Sequence, residues 1–156
     1  MRLLLRPITI ISLAVASVFA LSAPARADID VGVRGGYYFD IGEPFVGAEL
    51  LIPVVDRKIF FNPNVEYVFV EDLNYMTFNA DFHYDLPVAG SQFVWLGAGL
   101  GLVRIDPEGP GNSDTDPALN LLAGVGFRAG GAVPYFQAKL IVKDNTEFSL
   151  GFGVRF

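Results

Sequence analysis

The 156-residue sequence contains no cysteine, one histidine and few charged residues, and each shortage excludes a class of protein. Without cysteine the chain can form neither a disulfide framework nor a thiolate metal site, and it has no thiol nucleophile. Only 18% of the residues are charged, and 11 lysines and arginines face 17 aspartates and glutamates, so no basic surface is available for nucleic acid. A hydrophobic content of 52% excludes a disordered chain, and the length is that of one domain.

The first 27 residues have the three parts of a secretory signal peptide. Two arginines precede an uncharged apolar stretch over 8–21, and the Ala-Arg-Ala sequence at 25–27 has the small-x-small pattern of a cleavage site. The apolar stretch is shorter than the roughly 20 residues that a spanning helix needs. We therefore expect a signal peptide over 1–27 and an exported domain over 28–156. Removal of the three arginines in the signal peptide changes the net charge from −6 to −9.

Apolar residues recur at every second position through most of the exported sequence. Over 75–86 apolar positions alternate with polar ones, and over 148–156 they alternate with small or charged ones. A helix would mix the two sets on every face, whereas a strand separates them. Together with 17 glycines, 14 phenylalanines and 6 tyrosines, this pattern predicts an all-β protein. The predicted strands cover 29–39, 45–53, 59–70, 75–86, 93–105, 118–128, 135–143 and 147–156.

Short turn sequences separate these strands, which favours an antiparallel meander in which each strand pairs with the next. One longer, acidic connection covers 106–117. The polar faces of the strands carry too few charged residues for the outside of a soluble barrel, and the opposite faces are aliphatic and aromatic throughout. Strands of about ten residues, apolar outside and small or polar inside, are typical of a transmembrane barrel.

The signal peptide, the eight alternating strands and the final apolar series resemble the small outer-membrane β-barrels of Gram-negative bacteria, the OmpA transmembrane domain and OmpX type. The resemblance implies an eight-stranded antiparallel up-and-down transmembrane barrel in the outer membrane, monomeric, with both termini in the periplasm. It also implies contact with outer-membrane lipid and lipopolysaccharide. The final series is similar to the signal read by the barrel-assembly machinery during biogenesis, and it consists of Phe148, Leu150, Phe152, Val154 and Phe156.

An eight-stranded barrel has an interior just wide enough for side chains to fill, so charges that point inward must pair. By strand parity the inward titratable residues are Asp30, Arg34, Glu49, Glu66, Asp81, His83, Asp85, Arg128, Lys139, Lys143 and Arg155. Alternating strand directions place Glu49, Glu66 and Asp81 at mid-depth with Arg34 and Lys139. Asp30 and Asp85 lie lower, with Arg128 and Arg155. We predict an ion-pair network that crosses the lumen and closes it to solutes, in a structural or surface-interacting barrel.

Three other functions need features that the sequence supplies only in part. A small channel requires that the ion pairs open or leave a wet path. A periplasmic lipid-binding barrel requires apolar faces that line a cavity, and the C-terminal Phe156 disfavours it. Lipid A deacylases and palmitoyltransferases resemble the chain in barrel size and need a histidine working with a serine. No serine lies two positions from His83, and Ser149 is left as the residue that would have to reach it. We predict no catalytic site and no cofactor.

The outer connections hold ten acids beside one base, Lys143, and are interpreted as solvated negative loops: Asp40, Glu43, Glu71, Asp72, Asp106, Glu108, Asp114, Asp116, Asp144 and Glu147. Asn112, Asp114 and Asp116 offer oxygen ligands, but their spacing matches no complete calcium loop, so no metal site is predicted. Both faces of the fifth strand are nearly apolar. The sequence therefore leaves open whether Trp95 and Arg104 face lipid or the interior.

Overall fold

The structure is a computed structural model that describes residues 29–86, 88 and 90–156. The expected signal peptide and its cleavage position lie outside these residues. Each strand pairs antiparallel with the next, and β1 pairs with β8, which closes the barrel. The predicted all-β, eight-stranded up-and-down barrel is therefore confirmed. The strands are β1 Asp30–Tyr38, β2 Glu43–Val55, β3 Ile59–Val68, β4 Leu73–Leu86, β5 Gln92–Pro107, β6 Asp114–Phe127, β7 Val133–Val142 and β8 Glu147–Arg155.

The largest departure from the predicted strands is at the acidic stretch 106–117. It was expected to be a long connection, but β6 begins at Asp114 and the ladder with β5 runs up to the pair Ile105↔Asp114. The connection is therefore only 108–113. The polar residues of 114–117 are unusual in a strand, yet the long β5 offers them an unpaired backbone edge, and this outweighs their weak β propensity.

The connections define two ends of the barrel. At the terminal end lie the first residue of β1, the last of β8, the connections 56–58 and 128–132, and the end of β4 with the start of β5. At the loop end lie the connections 39–42, 69–72, 108–113 and 143–146. The β2–β3 turn contains Asp56 and Arg57 with φ of 44° and 53°, a left-handed pair that matches the twist of a tight hairpin.

A proline inside β3 leaves the ladder between β2 and β3 with one donor too few. Pro63 has no N–H, and in a bilayer no water is present to satisfy a free carbonyl. The inward side chain of Asn62 donates from Nδ2 to the Leu50 carbonyl oxygen at 2.7 Å. The Asn62 side chain thus takes the place of the missing Pro63 N–H and satisfies the Leu50 carbonyl from inside the barrel.

Most side chains that point away from the barrel axis between its two ends are apolar, and many of them are exposed. The exposed fractions are 45% for Phe78, 68% for Leu100, 56% for Phe136 and 47% for Phe152. A belt of this kind exceeds the apolar patches that soluble monomers tolerate, whereas acyl chains surround it without cost. In the part of the chain that the structure describes, no helix is both long and apolar enough to span a membrane.

Candidate functional site in the barrel interior

Two glutamates and three bases form one connected ion network in the middle of the barrel. Glu66 Oε1 lies 2.6 Å from Arg34 Nη2 and 2.9 Å from Lys139 Nζ. Glu49 Oε1 lies 2.8 Å from Arg155 Nε, and Glu49 Oε2 lies 3.5 Å from Arg34 Nη1. The five side chains are at most 2% exposed. Arg34 therefore joins two buried carboxylates that come from different strands.

Inward glycines position two of these pairs. Gly32 of β1 is the register partner of Glu49 on one side and Arg155 on the other. A Cβ at Gly32 would lie 2.7 Å from Glu49 Oε1 and 3.1 Å from Arg155 Cγ. Gly47 of β2 stands in the same way between Arg34 and Glu66. In each case the strand between two long charged side chains carries no side chain, so the two meet directly above its backbone.

An amide cluster lies beside the ion network and contains Asp81. Asp81 accepts hydrogen bonds from Asn64 Nδ2 at 2.9 Å and from Asn120 Nδ2 at 2.8 Å. Asn79 and Asn120 continue the cluster, and Arg34 donates from Nη2 to Asn64 Oδ1. Asp81, which was expected at mid-depth with Arg34 and Lys139, is hydrogen-bonded to amides. The reason is again a glycine, because Gly99 stands between Asp81 and Asn120 in the register.

The charged residues expected together at the terminal end are Asp30, Asp85, Arg128 and Arg155. Arg155 also binds Glu49, and its guanidinium carbon lies 4.2 Å from the Tyr135 ring centroid. Arg128 lies over the Phe93 ring at 4.6 Å. Asp30 and Asp85 line an open cavity at the barrel mouth together with both arginines. The four residues expected at this lower level therefore line one cavity.

His83 lies just inside this mouth. Its Nε2 is 3.5 Å from Asp85 Oδ1, and its ring packs 5.3 Å from Phe60 and 5.4 Å from Trp95. Neither ring nitrogen has a hydrogen-bond partner, although the residue is only 2% exposed. The surroundings are therefore mainly aromatic and stabilise the ring as a packing element.

At the loop end, Lys143 forms an ion pair with a residue that was assigned to the outer connections. Lys143 Nζ lies 3.0 Å from Glu147 Oε1, and the Tyr75 hydroxyl donates to Glu147 Oε2 at 2.7 Å. Glu147 is the first residue of β8, faces inward and is 7% exposed. Its assignment to the solvated loops is corrected, because β8 begins one residue before the apolar series and Glu147 takes the inward parity.

Two apolar layers that the strand pattern did not predict lie on either side of the ion network. The layer toward the loop end contains Tyr38, Phe45, Val68, Tyr75, Val103, Ala118 and Ile141. The layer toward the terminal end contains Phe93, Trp95, Leu122 and Tyr135. The Tyr38 hydroxyl donates to Glu66 and the Tyr135 hydroxyl to Glu49 Oε1 at 2.6 Å, so each layer is tied to the network. Most of these residues have the same parity as the inward polar residues of their strands. Continuing that parity by two residues toward the strand ends would have predicted that the aromatic residues point inward.

The structure decides the two positions that the sequence left open. Trp95 faces inward with no exposed surface, and its Nε1 donates to Gln137 Oε1 at 3.3 Å. Gly124 lies between them in the register and makes room for the indole. Arg104 faces outward near the loop end, where it binds Asp106 at 2.8 Å.

The residues considered for catalysis do not converge. His83 shares contacts with Trp95, whose ring also lies 5.1 Å from the Arg155 guanidinium. Ser149 lies six residues before Arg155 on the same strand, which is about 20 Å along β8. The serine therefore lies near the opposite end of the interior from the histidine. Among residues 29–86, 88 and 90–156, no group of three His, Asp or Glu side chains is arranged to hold a metal ion.

The sequence matches no protein-family model. It also matches no curated protein. Three solved structures of outer-membrane proteins share the fold, each at low sequence identity. The N-terminal β-barrel domain of Pseudomonas aeruginosa OprF is 15% identical with a TM-score of 0.66, and the match covers 82% of this chain and 95% of that chain.

The other two are Neisserial surface protein A and the outer-membrane enzyme PagL. Neisserial surface protein A is 18% identical with a TM-score of 0.55, covering 81% of this chain and 92% of that one. PagL is 16% identical with a TM-score of 0.52, covering 80% and 97% respectively. The fold of this chain is therefore that of the small bacterial outer-membrane barrels, which confirms the fold implied by the sequence resemblance.

Proposed function

We propose that the chain is an integral β-barrel of the bacterial outer membrane with a structural and surface-interacting role, whose interior is closed to solutes. It is a monomer that contacts outer-membrane lipid and lipopolysaccharide, enters the membrane through the barrel-assembly machinery, and binds no nucleic acid. The terminal end then faces the periplasm and the short, acidic loop end faces outward. One observation carries the proposal: a fully buried ion network lies between two apolar layers.

The ion network alone would be a weak closure, since buried charges attract water when a partner moves away. The two apolar layers change this. A hydrated ion crossing the interior would have to pass Phe45, Val68 and Ile141 on one side of the network and Trp95 and Leu122 on the other. Each of these side chains is at most 5% exposed. Loss of hydration at an apolar constriction is costly, so the layers exclude solutes independently of the charges.

Planar-bilayer conductance tests the closed interior. The barrel is purified in detergent from outer membranes, and a difference in migration between heated and unheated gel samples establishes that it is folded. We expect a folded barrel without conductance steps. Stable, discrete steps would overturn the closed interior and favour a small channel.

The similarity to PagL makes an enzyme the second candidate, and the separation of Ser149 from His83 argues against it. The test is incubation of the folded barrel with lipopolysaccharide, followed by mass spectrometry of the released fatty acids. We expect no release. Release that disappears in a His83→Asn variant would establish catalysis and refute the non-enzymatic proposal.

A further inference from the structure

A polar cavity of about 390 Å³ opens at the terminal end of the barrel. This volume is in the range of small-molecule sites and is much larger than a single water molecule. Arg155 lies in its lining, and the terminal-end apolar layer lies beneath it, through Phe93 at the boundary. The cavity therefore lies outside the apolar layer, at the mouth of the barrel. Ligand binding in it does not depend on whether the barrel conducts.

Three arginines contribute to the lining: Arg57, Arg128 and Arg155. Two of them lie over aromatic rings, Arg128 over Phe93 at 4.6 Å and Arg155 over Tyr135 at 4.2 Å. A cation–π contact of this kind restrains the guanidinium without using its N–H groups. For Arg128 this restraint lowers the entropy cost of binding a ligand.

Arg155 supplies an observation that points to a ligand. Its Nε and Nη2 both bind Glu49, but its Nη1 has no hydrogen-bond partner although the residue is 1% exposed. An unsatisfied donor on a buried, charged group is costly unless another molecule satisfies it. Arg155 is paired with Glu49, and the other charged residues of the lining are two arginines and two acids, in a chain whose net charge is −6. The cavity is therefore less acidic than the protein as a whole, and an anion is less disfavoured here than elsewhere on it.

We propose that this cavity binds a small organic anion through a phosphate or carboxylate group. Arg128 takes the anionic group at the mouth, and Arg155 Nη1 donates to it from the floor. Planar guanidinium groups recognise these oxyanions with paired, charge-assisted hydrogen bonds. The volume leaves room for an organic part beside the aromatic ring of Phe60, which also lines the cavity.

The single tryptophan of the chain makes the site directly observable. Trp95 lies 5.1 Å from the Arg155 guanidinium, so an anion that reaches Arg155 changes the indole emission. The folded barrel in neutral detergent is titrated with glycerol 3-phosphate, inorganic phosphate and acetate, against chloride at equal ionic strength. Phosphatidylglycerol in mixed micelles is the parallel arm, and it distinguishes a lipid headgroup from a free anion.

The matched variants are Arg128→Gln and Arg104→Gln, since Arg104 is an exposed arginine at the opposite end. We expect a saturable change in Trp95 emission, at least about ten-fold weaker binding in Arg128→Gln, and unchanged binding in Arg104→Gln. Asp85→Asn, which removes a negative charge from the cavity, is expected to tighten binding. It keeps the test decisive if Arg128→Gln does not fold.

Three outcomes would overturn the site. One is a response no larger than that to chloride, the second is equal binding in Arg128→Gln, and the third is unchanged or weaker binding in Asp85→Asn. Saturation by phosphatidylglycerol but not by glycerol 3-phosphate would support the site and assign it to a lipid headgroup. Saturation by both would support it and assign it to the shared phosphate group.

Discussion

Replacement of Glu66 by glutamine tests the central ion network most directly. Glu66 is fully buried and accepts from four donors, namely Arg34 Nη2 at 2.6 Å, Lys139 Nζ at 2.9 Å, the Thr77 hydroxyl at 3.2 Å and the Tyr38 hydroxyl. Glutamine keeps the shape but turns one acceptor oxygen into an NH₂ donor that faces other donors. Lys139 has its ion pair with Glu66, so it is left charged in a dry interior.

Breaking a buried ion pair by removing one partner costs about 3–5 kcal/mol. We expect Glu66→Gln to lower the free energy of unfolding by that amount. Arg104→Gln is the control, because it breaks an exposed pair with Asp106 whose contribution is about 0–1 kcal/mol. The assay is reversible urea unfolding of the barrel in phospholipid vesicles, followed by the emission of the buried Trp95. A constant m-value shows that the change lies in stability and not in the extent of unfolding.

The double variant Glu66→Gln, Lys139→Gln removes both charges of the pair. It is expected to be more stable than the sum of the single variants predicts, with a coupling of about 0.5–3 kcal/mol. None of these variants is expected to conduct, because both apolar layers stay in place. A loss below about 1 kcal/mol in Glu66→Gln would refute the reasoning, and conductance in that variant would show that the ion pairs alone close the barrel.

Three further predictions concern the interior glycines, the outer belt and the closing strand. Gly99→Ala would bring a Cβ within 2.3 Å of an inward carboxylate and is expected to cost about 1–3 kcal/mol. Gly109→Ala meets nothing within 4 Å and is expected to unfold at the same urea concentration as the parent. Leu100→Arg, on the lipid face, is expected to cost about 2–4 kcal/mol in vesicles, against a smaller loss in Leu100→Ala; equal losses would contradict a lipid-facing position. Deletion of Phe156 removes two backbone hydrogen bonds to β1 and is expected to reduce the folded, heat-modifiable fraction in outer membranes, while Phe156→Leu keeps it.

The facing of nearly all residues follows from the period-two pattern alone. One inward residue fixes the parity of a strand, so Glu49, Glu66 and Lys139 are assigned to the interior without any knowledge of neighbouring strands. The apolar series from Phe148 to Phe156 has the exposed face that this parity predicts. Parity, however, carries no information about how far one strand is shifted against the next.

The choice of partners depends on that shift and was therefore only partly predictable. Arg155 was expected at the lower level with Asp30 and Asp85, and parity could not show that it also reaches Glu49. The closing register places Gly32 between Arg155 and Glu49. The shift between β1 and β8 joins the two ends of the chain, and no local turn sequence encodes it. Pairs across β1 were accordingly the least predictable part of the interior.

Inward glycines indicate which side chains contact each other across a strand. They have this role at several places in the barrel. Gly32, Gly47, Gly99 and Gly124 each lie between two inward side chains that form a hydrogen bond or ion pair with each other. A strand without a side chain lets its neighbours interact across it, at a distance that a methyl group would prevent. An inward glycine therefore predicts a contact between the residues on its two sides. The same rule accounts for pairs of the ion network, for the amide cluster around Asp81 and for the position of Trp95. A few glycines therefore influence which charges in the interior neutralise each other.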